Sequence, residues 1–217
     1  MTTTSTWAEI TTVDDLVDLL GEPNKLARDK GRTALLDVDR DWLSVTPFCV
    51  LATSSALGEC DVSPKGDPAG QLVHVIDDRT IAIAERPGNK RADGYKNILQ
   101  NPHVGLNFFI PGRGDTLRIN GRARLVSSAP FFDEMLVKGH RPILAVVVEI
   151  EEIFFHCAKA FLRSGLWKPE TWDPNSVVPR RAVIANAVER SDMTLEELEE
   201  YYKPENYNKG LYGAANA

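Results

Sequence analysis

The amino-acid sequence predicts a mainly β fold with flanking helices, a small antiparallel barrel of about six strands, and three observations lead there. Between Pro47 and Phe155, short runs of apolar and β-branched residues recur with turn signals at close intervals. One helical segment interrupts them midway and another precedes the last run, which is not the regular strand-helix alternation of a doubly wound sheet. The chain also carries neither G-x-G-x-x-G nor G-x-x-x-x-G-K-[ST], the two common glycine-rich phosphate loops.

With 217 residues, 43% of them hydrophobic, the chain can bury one full core and is too short for two ordinary domains. It divides by pattern into a helical N-terminal extension (1–46), a barrel domain (47–167) and a helical C-terminal appendage (168–217). A net charge of -6 argues against a nucleic-acid surface, which needs clustered, uncompensated Lys and Arg. No stretch approaches the roughly 18 apolar residues of a membrane span, and the N-terminus lacks a basic segment followed by an apolar run, so a soluble, cytoplasmic protein is expected. Cys49, Cys60 and Cys157 are odd in number and lack C-x-x-C spacing, as suits reduced thiols. Cys49 sits in an apolar run and reads as core. His156-Cys157 has no second pair at zinc-ligand spacing, so no metal is expected.

Taken in order, Val13, Leu16, Val17 and Leu20 share one helical face, with Thr12 as cap and Gly21-Glu22-Pro23 as stop. A second short helix is expected from about Asn24 to Lys30 and a third from Asp39 to Val45. The periodicity then becomes that of strands. Phe48 to Thr53 and Cys60 to Lys65 form one hairpin, and Leu72 to Ile76 with Thr80 to Ala84 form another. After a helix, His103 to Ile110 and Thr116 to Val126 are strands. In the second of these, Arg118, Asn120, Arg122 and Arg124 oppose Leu117, Ile119, Ala123 and Leu125 only if Gly121 sits at a break or bulge, or where another backbone comes close. A helix from about Ala129 to Lys138 precedes the most buried strand, Ile143 to Phe155. A short helix lies within HCAKAFLRSGLW, a linker runs from Lys168 to Pro174, and two more helices follow, the latter opened by the Thr194-x-x-Glu197 capping box. The last residues, KPENYNKGLYGAANA, have the composition of a fraying terminus.

The chemistry points to Glu85–Leu99, ERPGNKRADGYKNIL. Arg86-Pro87-Gly88 is a turn, Asn89 the expected N-cap, and Tyr95, Ile98 and Leu99 one face of a helix ended by Asn101-Pro102. Arg86, Lys90 and Arg91 therefore crowd a helix N-terminus that already carries roughly half a positive charge and prefers carboxylates. Either these cations are solvated, with Asp93 compensating, or they and the free amides hold a phosphate.

This combination resembles the pyridoxamine 5′-phosphate oxidase-like FMN-binding split-barrel superfamily, over about Phe48 to Trp167. The resemblance is carried by Asp61-Val62-Ser63-Pro64-Lys65-Gly66, Arg86-Pro87-Gly88-Asn89-Lys90-Arg91, Asn101-Pro102-His103-Val104-Gly105-Leu106 and Thr116-Leu117-Arg118-Ile119-Asn120-Gly121-Arg122-Ala123. It implies a six-stranded antiparallel split β-barrel, a homodimer, and FMN in a cleft between subunits. The phosphate would fall to Lys65, Lys90 and Arg91, with Arg86, Asn89 and Ser63 beside it and Thr116 and Arg118 facing the cofactor from the long strand. Trp167 would stack on the ring, or simply dock its helix. His156, Lys159 and Arg163 would line the substrate side, or stay solvated. Arg-x-Val-Leu-Leu-Lys and a C-terminal Arg-x-His are missing, so vitamin B6 oxidation is not implied. What is implied is a flavin-dependent oxidoreductase acting on a small molecule. Non-enzymatic flavin binding or storage, and use of F420 or haem, stand as alternatives.

Overall fold

The computed structural model describes residues 7–173, 176–190 and 192–212, so Pro174 of the expected linker and residues 213–217 lie outside the described residues. The chain clusters into two compact units, Met1–Gly31 and Arg32–Ala217. In the small unit, α1 (Val13–Leu20) is capped as its sequence predicts, with Thr12 Oγ1 accepting from the Asp15 amide at 3.1 Å. Gly21 stops it in the left-handed region at φ +78°. α2 (Lys25–Arg28) is capped by Asn24, and neither helix has a buried residue.

In the large unit, α3 (Asp37–Val45) starts two residues earlier than its pattern suggests, because Asp39 is recruited at its first turn. That carboxylate is fully buried, accepts from the Leu36 amide at 2.8 Å and receives the Arg32 guanidinium. Seven strands follow: β1 (Phe48–Ser54), β2 (Cys60–Gly66), β3 (Val73–Asp77), β4 (Thr80–Ala84), β5 (His103–Phe109), β6 (Thr116–Val126) and β7 (Ala145–His156). They form one antiparallel sheet in the order β2-β1-β5-β6-β7-β4-β3. This corrects the expected count of six. Each of the seven matches a run already marked in the sequence, and the edge strand β3 is the first arm of the second expected hairpin, where Val73 and Val75 ladder onto Ile83 and Ile81 and pack on the core.

The sheet curls around one core. Leu51 of β1, Ile83 of β4, Leu106 of β5, Ile119 of β6 and Val148 of β7 are each at most 1% exposed and belong to one cluster. The helix α4 (Asp93–Gln100) covers that cluster with Ile98 and Tyr95. On the other face of β4 and β7, Ala82 and Val147 pack beneath Phe132 and Met135. These two come from Pro130–Met135, which is a 3-10 turn where an α-helix is expected. It opens on a proline, lacks a side-chain cap, and ends before Lys138 and Gly139, both at positive φ. Beyond β7 lie α5 (Lys159–Ser164), α6 (Arg181–Val188), α7 (Leu195–Tyr201) and α8 (Pro204–Tyr207), and α7 begins at the expected Thr194/Glu197 capping box. Ala182, Ala185 and Leu198 bury the α6–α7 contact.

The long strand breaks where its parity demands. The β6–β7 register shifts between Asn120 and Gly121, and Glu151 is the residue left over on β7. A Cβ at position 121 would lie 2.0 Å from the Glu149 carbonyl oxygen, so the bulge brings the two backbones together at a point only glycine fits. Gly121→Ala must push β7 outward in the middle of the core. We expect a loss of about 3 kcal/mol in urea denaturation, the upper end for overpacking. A loss below about 0.5 kcal/mol, typical of neutral surface changes, would show that the bulge yields freely.

Candidate functional site

The split in the sheet creates the site. β2 and β3 are the two edges, and the chain that leaves β4 turns back toward β2. Between β2 and the 84–95 segment lies a cleft of about 520 Å³, within the size range of small-molecule sites. Two sets of side chains tie its walls together. Arg86 Nε donates to Asp67 Oδ2 at 2.8 Å, and its Nη2 donates to the Met135 carbonyl at 3.0 Å. Lys65 Nζ donates to the Tyr95 hydroxyl at 2.8 Å and lies 3.4 Å from Glu85, to which the Tyr95 hydroxyl in turn donates. The Asp67 and Arg86 side chains are only 2% and 12% exposed, so their pair is buried.

The loop from Glu85 to Ala92 is held in an uncommon form. Lys90 and Ala92 both occupy the left-handed region, at φ +60° and +57°. Such non-glycine residues cluster at functional sites, because ordinary loops avoid the strain. The same geometry moves the helix start from Asn89 to Asp93. Asn89 Oδ1 instead accepts from the Arg91 amide at 3.1 Å, closing a local turn. Ala92 then stands at the N-cap without a side chain to offer. Among the described residues no acceptor takes the amides of Asp93, Gly94 or Tyr95. Gly94 is needed here, since a Cβ would lie 2.8 Å from the Asp61 carboxylate of β2.

Of the residues singled out in the sequence, Ser63, Lys65, Arg86, Asn89, Lys90 and Arg91 all line this cleft. Their electrostatic surroundings differ. Lys65 and Arg86 are engaged across the seam, and Arg91 pairs with Asp93 at the exposed helix start. The hydrogen bond from Arg91, and less so that from Lys96, holds the Asp93 carboxyl below its usual range. Lys90 has no ion pair or hydrogen bond among the described residues. Lining the cleft are four cations (Lys65, Arg86, Lys90, Arg91) and four carboxylates (Asp61, Asp67, Glu85, Asp93), so it is charge-balanced.

The remaining residues gather elsewhere and do not line the cleft. Thr116 is 2% exposed and pairs with His156 across β6 and β7. Arg118 lies over the Phe154 ring and donates to Asn120 at 3.2 Å. Trp167 stacks on Phe161 at 5.8 Å and donates from its indole to the Arg113 carbonyl at 2.6 Å. Lys159 and Arg163 are exposed on α5. Among the described residues no group of three His, Cys, Asp or Glu is placed to hold a metal ion. Cys49 is fully buried, and burial pushes its thiol up to about 12. Among the described residues no helix is long and apolar enough to cross a membrane.

Sequence reasoning passed over Asp67, Glu85, Leu211 and the Tyr95 hydroxyl, all of which line the cleft. A signal for the first two was present. Lys65-x-Asp67 closes one strand and Glu85-Arg86 closes another, so juxtaposing the two ends matches opposite charges twice.

A family model described as pyridoxamine 5′-phosphate oxidase matches residues 35–157, from the approach to α3 through the end of β7. No curated protein matches the chain. Among solved structures, a proposed pyridoxamine 5′-phosphate oxidase from Lactobacillus delbrueckii is 23% identical, with the match covering 58% of this chain and 98% of that one at a TM-score of 0.45. HupZ from Group A Streptococcus is 20% identical, covering 54% and 91% at a TM-score of 0.42. An FAD-binding protein from Mesorhizobium loti is 16% identical, covering 58% and 96% at 0.39.

The seam makes a prediction about stability. Arg86→Ala strands the Asp67 carboxylate in the interior and is expected to cost about 3 to 5 kcal/mol, whereas adding Asp67→Asn should restore most of that loss. Equal losses in the single and double variants, measured by urea denaturation, would show that the side chains act through packing instead of charge.

Proposed function

The chain belongs to the pyridoxamine 5′-phosphate oxidase family, and on that premise we propose that it is an FMN-binding flavoprotein, a flavin-dependent oxidoreductase acting on a small molecule. The observation that carries the reading is the start of α4. Three amides without acceptors among the described residues, Lys90, which is unpaired among them too, and the loosely held Arg91 converge on the rim of a cleft of suitable size. A helix N-terminus of this kind favours a phosphate, and basic side chains add charge-assisted hydrogen bonds.

The residues divide the work. Lys90 and Arg91 take the phosphate with the amides, while Asn89 shapes the turn and Ser63 offers a hydroxyl from β2. Lys65 has one N–H left after Tyr95 and Glu85 and can add it to the anion. Arg86 stays in the seam, holding the wall on which the rest depends. Arg91 is released at little cost, because its ion pair with Asp93 lies at the surface, where solvent screens it. Bound FMN would supply hydride and electron transfer, so no dedicated catalytic triad is required of the protein. The Tyr95 hydroxyl, shared between Lys65 and Glu85, holds a proton at the cleft wall.

Arg118, His156, Lys159, Arg163 and Trp167 do not line the cleft of their own chain, and a homodimer would let them serve the cleft of the other copy. The exposed edge of β2, where Val62 is 64% exposed, supports such an association. Cys49 and Cys60, as free thiols, fit a reducing, cytoplasmic setting.

Arg91→Ala should weaken FMN by about 1.5 to 3 kcal/mol, roughly 10- to 100-fold, and leave riboflavin nearly unaffected. Asp93→Asn, which frees Arg91 and removes a carboxylate from the phosphate's surroundings, should tighten FMN. Fluorescence titrations in which Arg91→Ala weakens both ligands equally would place that side chain outside phosphate recognition. Reduction of the bound flavin by NADH or NADPH, followed by reoxidation by an acceptor, separates an enzyme from a storage protein. Light scattering of the FMN-loaded protein should report twice the chain mass of 24.1 kDa, and a loaded monomer would contradict the shared site.

A further inference from the structure

One wall of the cleft comes from far along the chain. Leu211 lines it, although every other lining residue lies between Leu51 and Tyr95, and the matched family region ends at residue 157. The segment that delivers Leu211 is fastened at several points. Asn206 Nδ2 donates to the Glu200 carbonyl and to Glu200 Oε1, both at 2.9 Å. The Tyr207 ring packs on Tyr201 and Tyr202 with centroids 5.8 and 5.3 Å away. Lys209 Nζ then donates to Asn206 Oδ1 at 3.2 Å within the turn Asn208–Gly210.

Tyr212 fixes the end of this segment against the seam. Its ring stacks on His140 at 6.2 Å and an angle of 19°, and Lys138 Nζ lies 5.3 Å from its centroid. Lys138 is itself held at φ +50°, a left-handed position that a lysine adopts only when its surroundings enforce it. The Tyr212 phenol faces the Asp67–Arg86 pair, and burial, followed by the Asp67 charge, raises its pKa. Among the described residues Asp67 Oδ1 is buried and takes no hydrogen bond, so the seam retains an acceptor that a nearby hydroxyl would satisfy.

Within the cleft the charged groups run from β2 through Glu85 and Arg86 to the start of α4, while Leu51, Leu72, Ala84 and Leu211 supply apolar surface. We propose that the C-terminal tail is a working part of the cofactor cleft. Leu211 forms an apolar wall for the flavin ring, and Tyr212 is a positioning residue that holds Leu211 there through His140, Lys138 and the Asp67–Arg86 pair. The inference rests on the FMN reading above.

Binding of FMN and riboflavin to the full chain, followed by flavin fluorescence, tests it. Leu211→Ala should weaken both ligands by the same factor, roughly 5- to 10-fold, mostly through faster dissociation. That pattern contrasts with Arg91→Ala, which should affect FMN alone. Tyr212→Ala should reproduce the Leu211 loss and make the bound flavin more accessible to iodide quenching, with Tyr212→Phe intermediate. Amide hydrogen exchange at residues 208–212 should slow when FMN is added and remain unchanged with inorganic phosphate. If wild type binds FMN and Leu211→Ala stays within twofold of it for both ligands, the tail has no part in the site and this inference falls alone. If wild type binds no FMN, the functional reading falls and the role of the tail falls with it.

Discussion

The buried contact between Arg86 and Asp67, with Lys65, Glu85 and Tyr95 beside it, is the constraint on which the site depends. A curled antiparallel sheet that does not close leaves two edges with unsatisfied polar groups. Here the chain leaving one edge strand and the chain leaving β4 are joined by side chains in place of a backbone ladder. Because the ion pair is almost wholly removed from water, it contributes little to net stability yet is costly to break. That asymmetry fixes the width of the cleft. It also directs Arg86 into the Met135 carbonyl, which ties the 3-10 segment of the second core cluster to the same seam.

The cleft therefore uses its charges for two purposes. Lys65 and Arg86, which by position alone look like phosphate ligands, are already compensated in the folded chain, and the cleft as a whole is neutral. In the proposed site, recognition of an anion would come chiefly from what remains, the strained loop, the open amides of α4 and two cations at the surface, with the last N–H of Lys65 added. Two left-handed non-glycine residues on either side of Arg91 cost free energy that an ordinary loop would not retain. Their effect is to leave the first turn of α4 uncapped and pointing at the cleft.

Much of this was legible in the sequence, and the failures are instructive. The strand segments showed as apolar or alternating runs between turn residues, and the bulge at Gly121 followed from a conflict between alternation and composition. The edge strand β3 was among these as the first arm of the second hairpin, and only the total of about six strands fell one short of the seven runs named. The start of α4 was misplaced because Asn89 is a good cap by type, and nothing local announces that Lys90 and Ala92 will adopt positive φ. The seam joins residues about twenty apart through side chains, beyond the reach of local periodicity, although the charge order of Lys65-x-Asp67 and Glu85-Arg86 encoded it. The arrival of Leu211 at the cleft had no sequence signal, since a polar, glycine-containing terminus reads as a fraying end.

Whether the cleft beneath α4 holds a flavin by its phosphate is read directly by denaturing protein purified from its host and identifying the small molecule released, by absorption and chromatography. FMN at one equivalent per chain is the expected result. Release of haem, of a deazaflavin, or of riboflavin without its phosphate would overturn the proposed function.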